Sequence, residues 1–178
     1  SGRWFHSETR LGPLFHAHLS AGQENSGKLV TQVKQSARLL ATRSGADLLL
    51  VDGPPGIGCP VIAATTGADL ALLVAEPSVS GIHDLRRILG TTRHFGVPAA
   101  VCVNKADLSP AQTAQVQALC VEEGVPLVGM VPFDTVVIEA MVHRQPVTEY
   151  RPGPVAEALQ ALWRELRERL DGKGKRGL

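Results

Sequence analysis

The sequence has little that would tie it to a polyanion or a lipid surface. Its 18 Lys and Arg nearly cancel 17 Asp and Glu, leaving a formal net charge of +1. No field of one sign announces nucleic acid, and no nucleic-acid partner is expected. No apolar run approaches the ~20 residues of a membrane span, and the first residues lack a signal peptide's apolar core. Cysteine is scarce: Cys59, Cys102 and Cys120 are odd in number and widely spaced. That suits a reducing cytoplasm better than a disulfide framework, so a cytoplasmic location is expected. Gly and Pro stay at ordinary levels in a chain that is 44% hydrophobic and 20% charged, which excludes general disorder. No internal repeat and no linker are visible. The expectation is a single α/β domain over residues 1–171, or a large part of one, followed by a basic, disordered tail at 172–178.

What is present centres on residues 46–60, ADLLLVDGPPGIGCP. Leu48 to Val51 form a short unbroken apolar run, the pattern of a strand covered on both faces of a parallel sheet. The run ends in Asp52, followed by Gly53, Pro54, Pro55, Gly56 and Gly58. An acid at the carboxyl end of a buried strand, leading into a glycine-rich turn, lies where open α/β sheets bind ligands.

Around this stretch the chain alternates between strand and helix patterns. Residues 3–8 and 13–20 read as a hairpin, with His16 and His18 on one strand face. Residues 29–42 repeat apolar side chains at helical spacing. After 48–51, short apolar runs at 70–75, 99–103 and 126–131 alternate with helical patterns at 60–66, 81–95, 110–123 and 136–142. A last helix is expected over 154–170. Strands joined through helices by short turns mean a doubly wound, mostly parallel α/β sheet, here preceded by a short β-hairpin.

The strand ends collect polar groups: Asp52, Glu76, Asn104, Lys105, Asp107 and Asp134. Asp52 reads either as a helix cap or as the carboxylate that holds magnesium through water, with the Gly56 region sensing a terminal phosphate. Asn104-Lys105-Ala106-Asp107 reads either as a capping loop, with Asp107 and Ser109 before Pro110, or as a loop that presents donors and acceptors to a purine edge. With both motifs at one sheet edge, the nucleotide reading is the stronger.

These residues resemble those of MinD/ParA/Mrp-type P-loop ATPases. The resemblance rests on the DxPPG turn from Asp52 to Gly56, Glu76-Pro77, the Asn-Lys-x-Asp loop and Pro132-Phe133-Asp134. The runs DGPPGIGCPVIAATTGADLALLVAEPSVSGIHDL and ENSGKLV look like the branch that carries an inserted ferredoxin-like domain. The resemblance spans residues 4–149 and implies that Asp52 is the Walker B aspartate and that 54–59 is switch II. It further implies that Asn104 contacts the base, with Pro132 to Asp134 lining the base pocket. ATP and Mg2+ are the implied cofactors, a homodimer the implied assembly, and a metal- or redox-enzyme client a possible partner.

The departures matter as much. The family begins with a strand and a glycine-rich loop bearing two lysines, then the insert that holds iron–sulfur clusters; neither pattern occurs in these 178 residues. Gly22 to Lys28 fits GxxxxGK, but Leu29 stands where magnesium needs a hydroxyl. The expectation is therefore the C-terminal portion of such an ATPase, inactive alone, with the cluster outside this chain. An unfilled gap beside the 48–51 strand should then either close or leave an exposed edge. A GTPase remains open, because Asp107 can accept from guanine N1 and N2, and so does a non-catalytic partner-binding module. Cys59 is expected to be buried or packed in the switch, and Cys102 and Cys120 to be core. His16 and His18 lack a third ligand nearby and read as a hairpin face before a metal site. The last helix carries too many acids for stable membrane association.

Overall fold

Residues with alternating faces build the first pair of strands. In the computed structural model, which describes residues 3–18 and 27–174, β1 (Arg3–Thr9) and β2 (Gly12–His18) pair antiparallel, from Arg3↔His18 to Thr9↔Gly12. The turn closes at Gly12, whose φ of +119° favours a residue without Cβ. The rest of the expected second strand, and most of the GxxxxGK segment, lie outside the described residues.

The chain divides into two units, Ser1–Ala68 and Asp69–Leu178, each with its own packing. In the first, the hairpin accompanies α1 (Gly27–Ser44) and α2 (Cys59–Thr65). Val61 and Ala64 of α2 and Ala37 of α1 are its buried apolar residues. The expected strand at 48–51 does not form. Residues 47–54 are in no helix or strand, and Leu48, Leu49 and Leu50 are exposed, Leu50 at 82%. A parallel strand exists only through its ladder, and an apolar run without a partner in its own unit gains nothing from being extended.

The second unit follows the expected alternation. Strands β3 (Ala71–Ala75), β4 (Ala99–Asn104) and β5 (Leu127–Val131) form a parallel sheet in that order. Helices α3 (Val79–His94) and α4 (Pro110–Glu122) cover one face, where Leu85, Leu89, Val116 and Leu119 pack on Val101 and Val103. Residue alternation turns Cys102 to the other face, where it joins Val136 of α5 (Val136–Val142) and Val155 and Leu162 of α7 (Pro154–Gly174). The short α6 (Val147–Tyr150) precedes α7. Gly129 marks how closely α7 approaches, since a Cβ there would come within 3.1 Å of Leu162 Cδ1. Helices on both faces make this a doubly wound α/β layer. β3 is a sheet edge, and its Val74 is 62% exposed. The last helix runs beyond the expected residue 170, to Gly174.

Candidate functional site

The second unit brings three strand ends together at its carboxyl edge. β3 gives way to Glu76 and buried Pro77, and Ser78 caps α3 by accepting a hydrogen bond from the Gly81 N–H at 3.0 Å. Only glycine suits residue 81, because a Cβ there would lie 2.3 Å from the Glu76 carbonyl oxygen. β4 ends at Asn104, whose side-chain oxygen accepts from the Lys105 N–H at 3.0 Å. Among the described residues the Asn104 amide NH2 has no partner and remains available to an outside acceptor. Lys105 adopts a left-handed backbone, φ 54°, and its ammonium meets Glu76 Oε1 at 2.7 Å. A non-glycine residue with positive φ stores strain that its surroundings must over-determine, and such residues cluster at functional loops.

The third strand end is tied to the second. The Ala106 N–H donates to the Val131 carbonyl at 3.0 Å, and Thr113 Oγ1 donates to the Ala106 carbonyl at 2.7 Å. The Phe133 N–H donates to Asp107 Oδ1 at 2.6 Å, and the Val136 N–H to Asp134 Oδ1 at 2.8 Å. The helix-cap alternative for this loop is thereby corrected in detail. Ser109 makes no side-chain cap bond to α4, and the Asp107 oxygen goes to the turn after β5, 26 residues on. Asp134 does cap locally, at the start of α5. Asn104, Lys105, Asp107, Pro132 and Asp134 thus share one laced edge with Glu76.

Asp52, Pro54, Pro55 and Gly56 belong to the first unit. The Asp52 carboxylate is exposed and, among the described residues, bonds to nothing. Gly56 turns the chain with φ +89°. Cys59 is exposed at the start of α2, so of the two expected alternatives, burial or packing in the switch, burial does not hold. Its backbone is closely approached by the start of α1, since a Cβ on Gly27 would lie 3.1 Å from the Cys59 carbonyl.

Sequence reasoning missed what holds α2. Lys34 Nζ donates to the carbonyls of Ala64 and Thr66 at 2.5 and 2.8 Å, and Arg38 Nη2 to that of Gly67 at 3.3 Å. Two cations one turn apart on α1 therefore satisfy the orphan carbonyls at the end of α2. The signal was a Lys and an Arg at i,i+4, but nothing local said which carbonyls they would meet. Burial, and then the neighbouring Arg38 charge, hold the Lys34 pKa below the ordinary 10.5. Burial alone pushes the Cys102 thiol up to about 11 and the Cys120 thiol upward, so both are the inert core residues expected. Among the described residues no three His, Cys, Asp or Glu are grouped to hold a metal ion. His16 instead shares a 3.0 Å hydrogen bond with Ser7 and stacks on Phe5 at 5.3 Å. No described helix is long and apolar enough to cross a membrane.

The fold and this edge define a doubly wound α/β protein with polar loops at the carboxyl ends of parallel strands, where ligands bind in such sheets. No family model matches the chain. It is 28% identical to the septum site-determining protein MinD of Helicobacter pylori over 176 residues, covering 89% of this chain and 65% of that protein. It is 27% identical to the cytosolic Fe-S cluster assembly factor Nubp1 homolog of Drosophila willistoni over 136 residues, covering 65% and 44%. Among solved structures it resembles the cell division ATPase MinD of Pyrococcus furiosus, with TM-score 0.66, 22% identity and 80% and 59% coverage. It also resembles the MinD of Pyrococcus horikoshii complexed with Mg-ADP, with TM-score 0.65, 23% identity and 79% and 56% coverage. These likenesses agree with the resemblance to MinD/ParA/Mrp-type P-loop ATPases and, for the solved structures, with their fold. It spans between 44% and 65% of the length of the two curated relatives.

Proposed function

We propose that this chain carries the Walker B, switch II and base-recognition segments of an ATP-hydrolysing protein, coupled to an iron–sulfur domain outside these residues. The observation that carries the reading is the laced carboxyl edge, where Glu76–Lys105 and Asp107–Phe133 hold three loops at the place ligands occupy in this fold. The Nubp1 likeness and the ferredoxin-bearing branch resemblance support the iron–sulfur coupling.

Asp52 fits a hydrated magnesium ion, because its exposed carboxylate is a hard oxygen donor committed to no described neighbour. When bound, such an ion neutralises charge on the phosphate oxygens. The chain's own share is positioning. Asp52 would hold the hydrated ion, and Gly56 permits a turn whose backbone could approach a terminal phosphate. Asn104 donates to the base through its amide NH2. Pro54 and Pro55 shape the turn that follows Asp52, while Lys105 shapes the loop after β4, with Pro132 and Asp134 on the base side. The intact protein acts as a cytoplasmic homodimer, without nucleic acid or stable membrane association, on a metal- or redox-enzyme client.

The test is titration of the intact protein with Mg-ATP and Mg-GTP, followed by phosphate release. ATP should bind more tightly than GTP. Asp52→Asn should slow hydrolysis by at least about a hundredfold, the scale of losing an electrostatic transition-state contact. Preference for GTP would replace the ATP reading with a GTPase. Failure to bind either nucleotide would leave a partner-binding module.

A further inference from the structure

We infer that Asp107 is a positioning residue that sets the base side of the site by bracing the turn after β5, and that it does not itself read the base. This rests on the nucleotide reading above. The Asp107 carboxylate is exposed, yet Oδ1 is not left to solvent; it closes on the Phe133 N–H at 2.6 Å. A bond from a backbone donor to an ionised acceptor at that distance is of the strong, charge-assisted kind. The loop that presents Asp107 is held independently. The Ala106 N–H reaches the Val131 carbonyl, Thr113 Oγ1 reaches the Ala106 carbonyl, and the Leu108 N–H reaches the Lys105 carbonyl at 3.1 Å.

The turn that receives the bond is anchored at its two ends, by Val131 within β5 and by Asp134 capping α5. Phe133 lies between those anchors and is 46% exposed, so the Asp107 bond supplies the middle restraint. Guanine recognition would ask both carboxylate oxygens to face the N1 and N2 hydrogens side by side. Oδ1 already accepts from the Phe133 N–H, and that bond fixes the plane and direction of the carboxylate on the turn after β5 and not on a base edge. The group left to meet a base is the Asn104 amide NH2, a donor that suits a purine ring nitrogen of adenine or guanine alike. On this inference, selectivity between the two purines does not pass through Asp107.

The conservative variant separates bracing from reading, because Asp107→Asn keeps a carbonyl that can accept from Phe133, whereas Asp107→Ala does not. In the 15N-labelled intact protein, hydrogen exchange at the Phe133 amide should stay slow in Asp107→Asn and become fast in Asp107→Ala. ATP affinity should fall on the order of tenfold in Asp107→Ala, the loss of one charge-assisted bond, and no more than about threefold in Asp107→Asn. The ratio of ATP to GTP affinity should hold in both. Selective loss of GTP in Asp107→Asn would overturn the inference by showing that the carboxylate reads guanine. Unchanged ATP affinity in Asp107→Ala would overturn it by showing that the brace does not shape the site. A wild-type protein that binds neither nucleotide would refute the nucleotide reading and this role together. Phe133 exchange would then still report the Asp107 bond.

Discussion

Two glycines of α3 should respond to alanine with opposite signs. Gly81 lies in the first turn, and a Cβ there would sit 2.3 Å from the Glu76 carbonyl oxygen and 3.0 Å from Ser78 Oγ. The first distance is about 1 Å short of the closest ordinary carbon–oxygen approach, and the obstacle is backbone, which cannot swing aside. Overpacking of this kind costs about 1–3 kcal/mol, and a backbone clash belongs at the upper end. Alanine also gains about 1 kcal/mol of helix propensity over glycine. Gly81→Ala should therefore lose about 2 kcal/mol net. Gly90, in the same helix, has nothing within 4 Å of its would-be Cβ, so Gly90→Ala should keep the propensity gain of up to about 1 kcal/mol. In thermal unfolding the pair should separate, with Tm about 4–8 °C lower for Gly81→Ala and up to about 4 °C higher for Gly90→Ala. The proposed nucleotide binding gives a second readout, since moving Glu76 disturbs its 2.7 Å pair with Lys105. If Gly81→Ala were as stabilising as Gly90→Ala, the close approach of α3 to the exit of β3 would not constrain the fold.

Other outcomes follow from the first unit and the buried thiols. Lys34→Met should destabilise the first unit by about 1–2 kcal/mol in denaturant unfolding, a half-exposed ammonium's bonds to two carbonyls being discounted for solvent. Because the folded Lys34 pKa lies below 10.5, the native state gives up this proton before the unfolded chain does. Wild-type stability should thus gain with pH just below 10.5 relative to Lys34→Met, and a parallel pH profile would refute the assignment. Gly56→Ala should cost about 1 kcal/mol from φ +89° alone, since its Cβ would meet nothing within 4 Å; an unchanged Tm would mean the turn relaxes freely. Alkylation near pH 8 should label Cys59 rapidly and leave Cys102 and Cys120 until unfolding, as mass mapping would show. The Cys102 contribution to stability should be flat below pH 9.0 and decline between 9.0 and about 11, because the unfolded thiol ionises first.

Much of the second unit was legible because its signals are local. Apolar runs the length of strands, helical spacing and the breakers Glu76-Pro77, Asn104 and Pro132 placed β3, β4, β5, α3, α4 and α5 within a residue or two, while α7 runs four residues further than expected. The resemblance of the DxPPG and Asn-Lys-x-Asp motifs pointed to MinD/ParA/Mrp-type ATPases before any fold was seen. Residues 48–51 carry an equally strong apolar run and yet form no strand. Pattern reports what a segment can bury, while a ladder requires a partner in place.

Residue order by itself determined the class of fold, the alternation that turns Cys102 away from Val101 and Val103, and the set of polar residues at the strand ends. Tertiary structure decided what each of those groups does. Asp107 and Ser109 are both good caps by type, but the Asp107 oxygen went to Phe133, 26 residues on. Lys34 could have been one more solvated charge, but it reached carbonyls 30 and 32 residues away. Cys59 was expected to be buried or packed in the switch, and it is exposed. Each outcome depends on which donor and acceptor the packed elements bring within about 3 Å, a distance that no single element's sequence encodes. So the stretch from Asp52 to Gly56 keeps its chemistry from the sequence, a carboxylate before a glycine turn, while the bonds that hold the end of α2 are a product of packing alone.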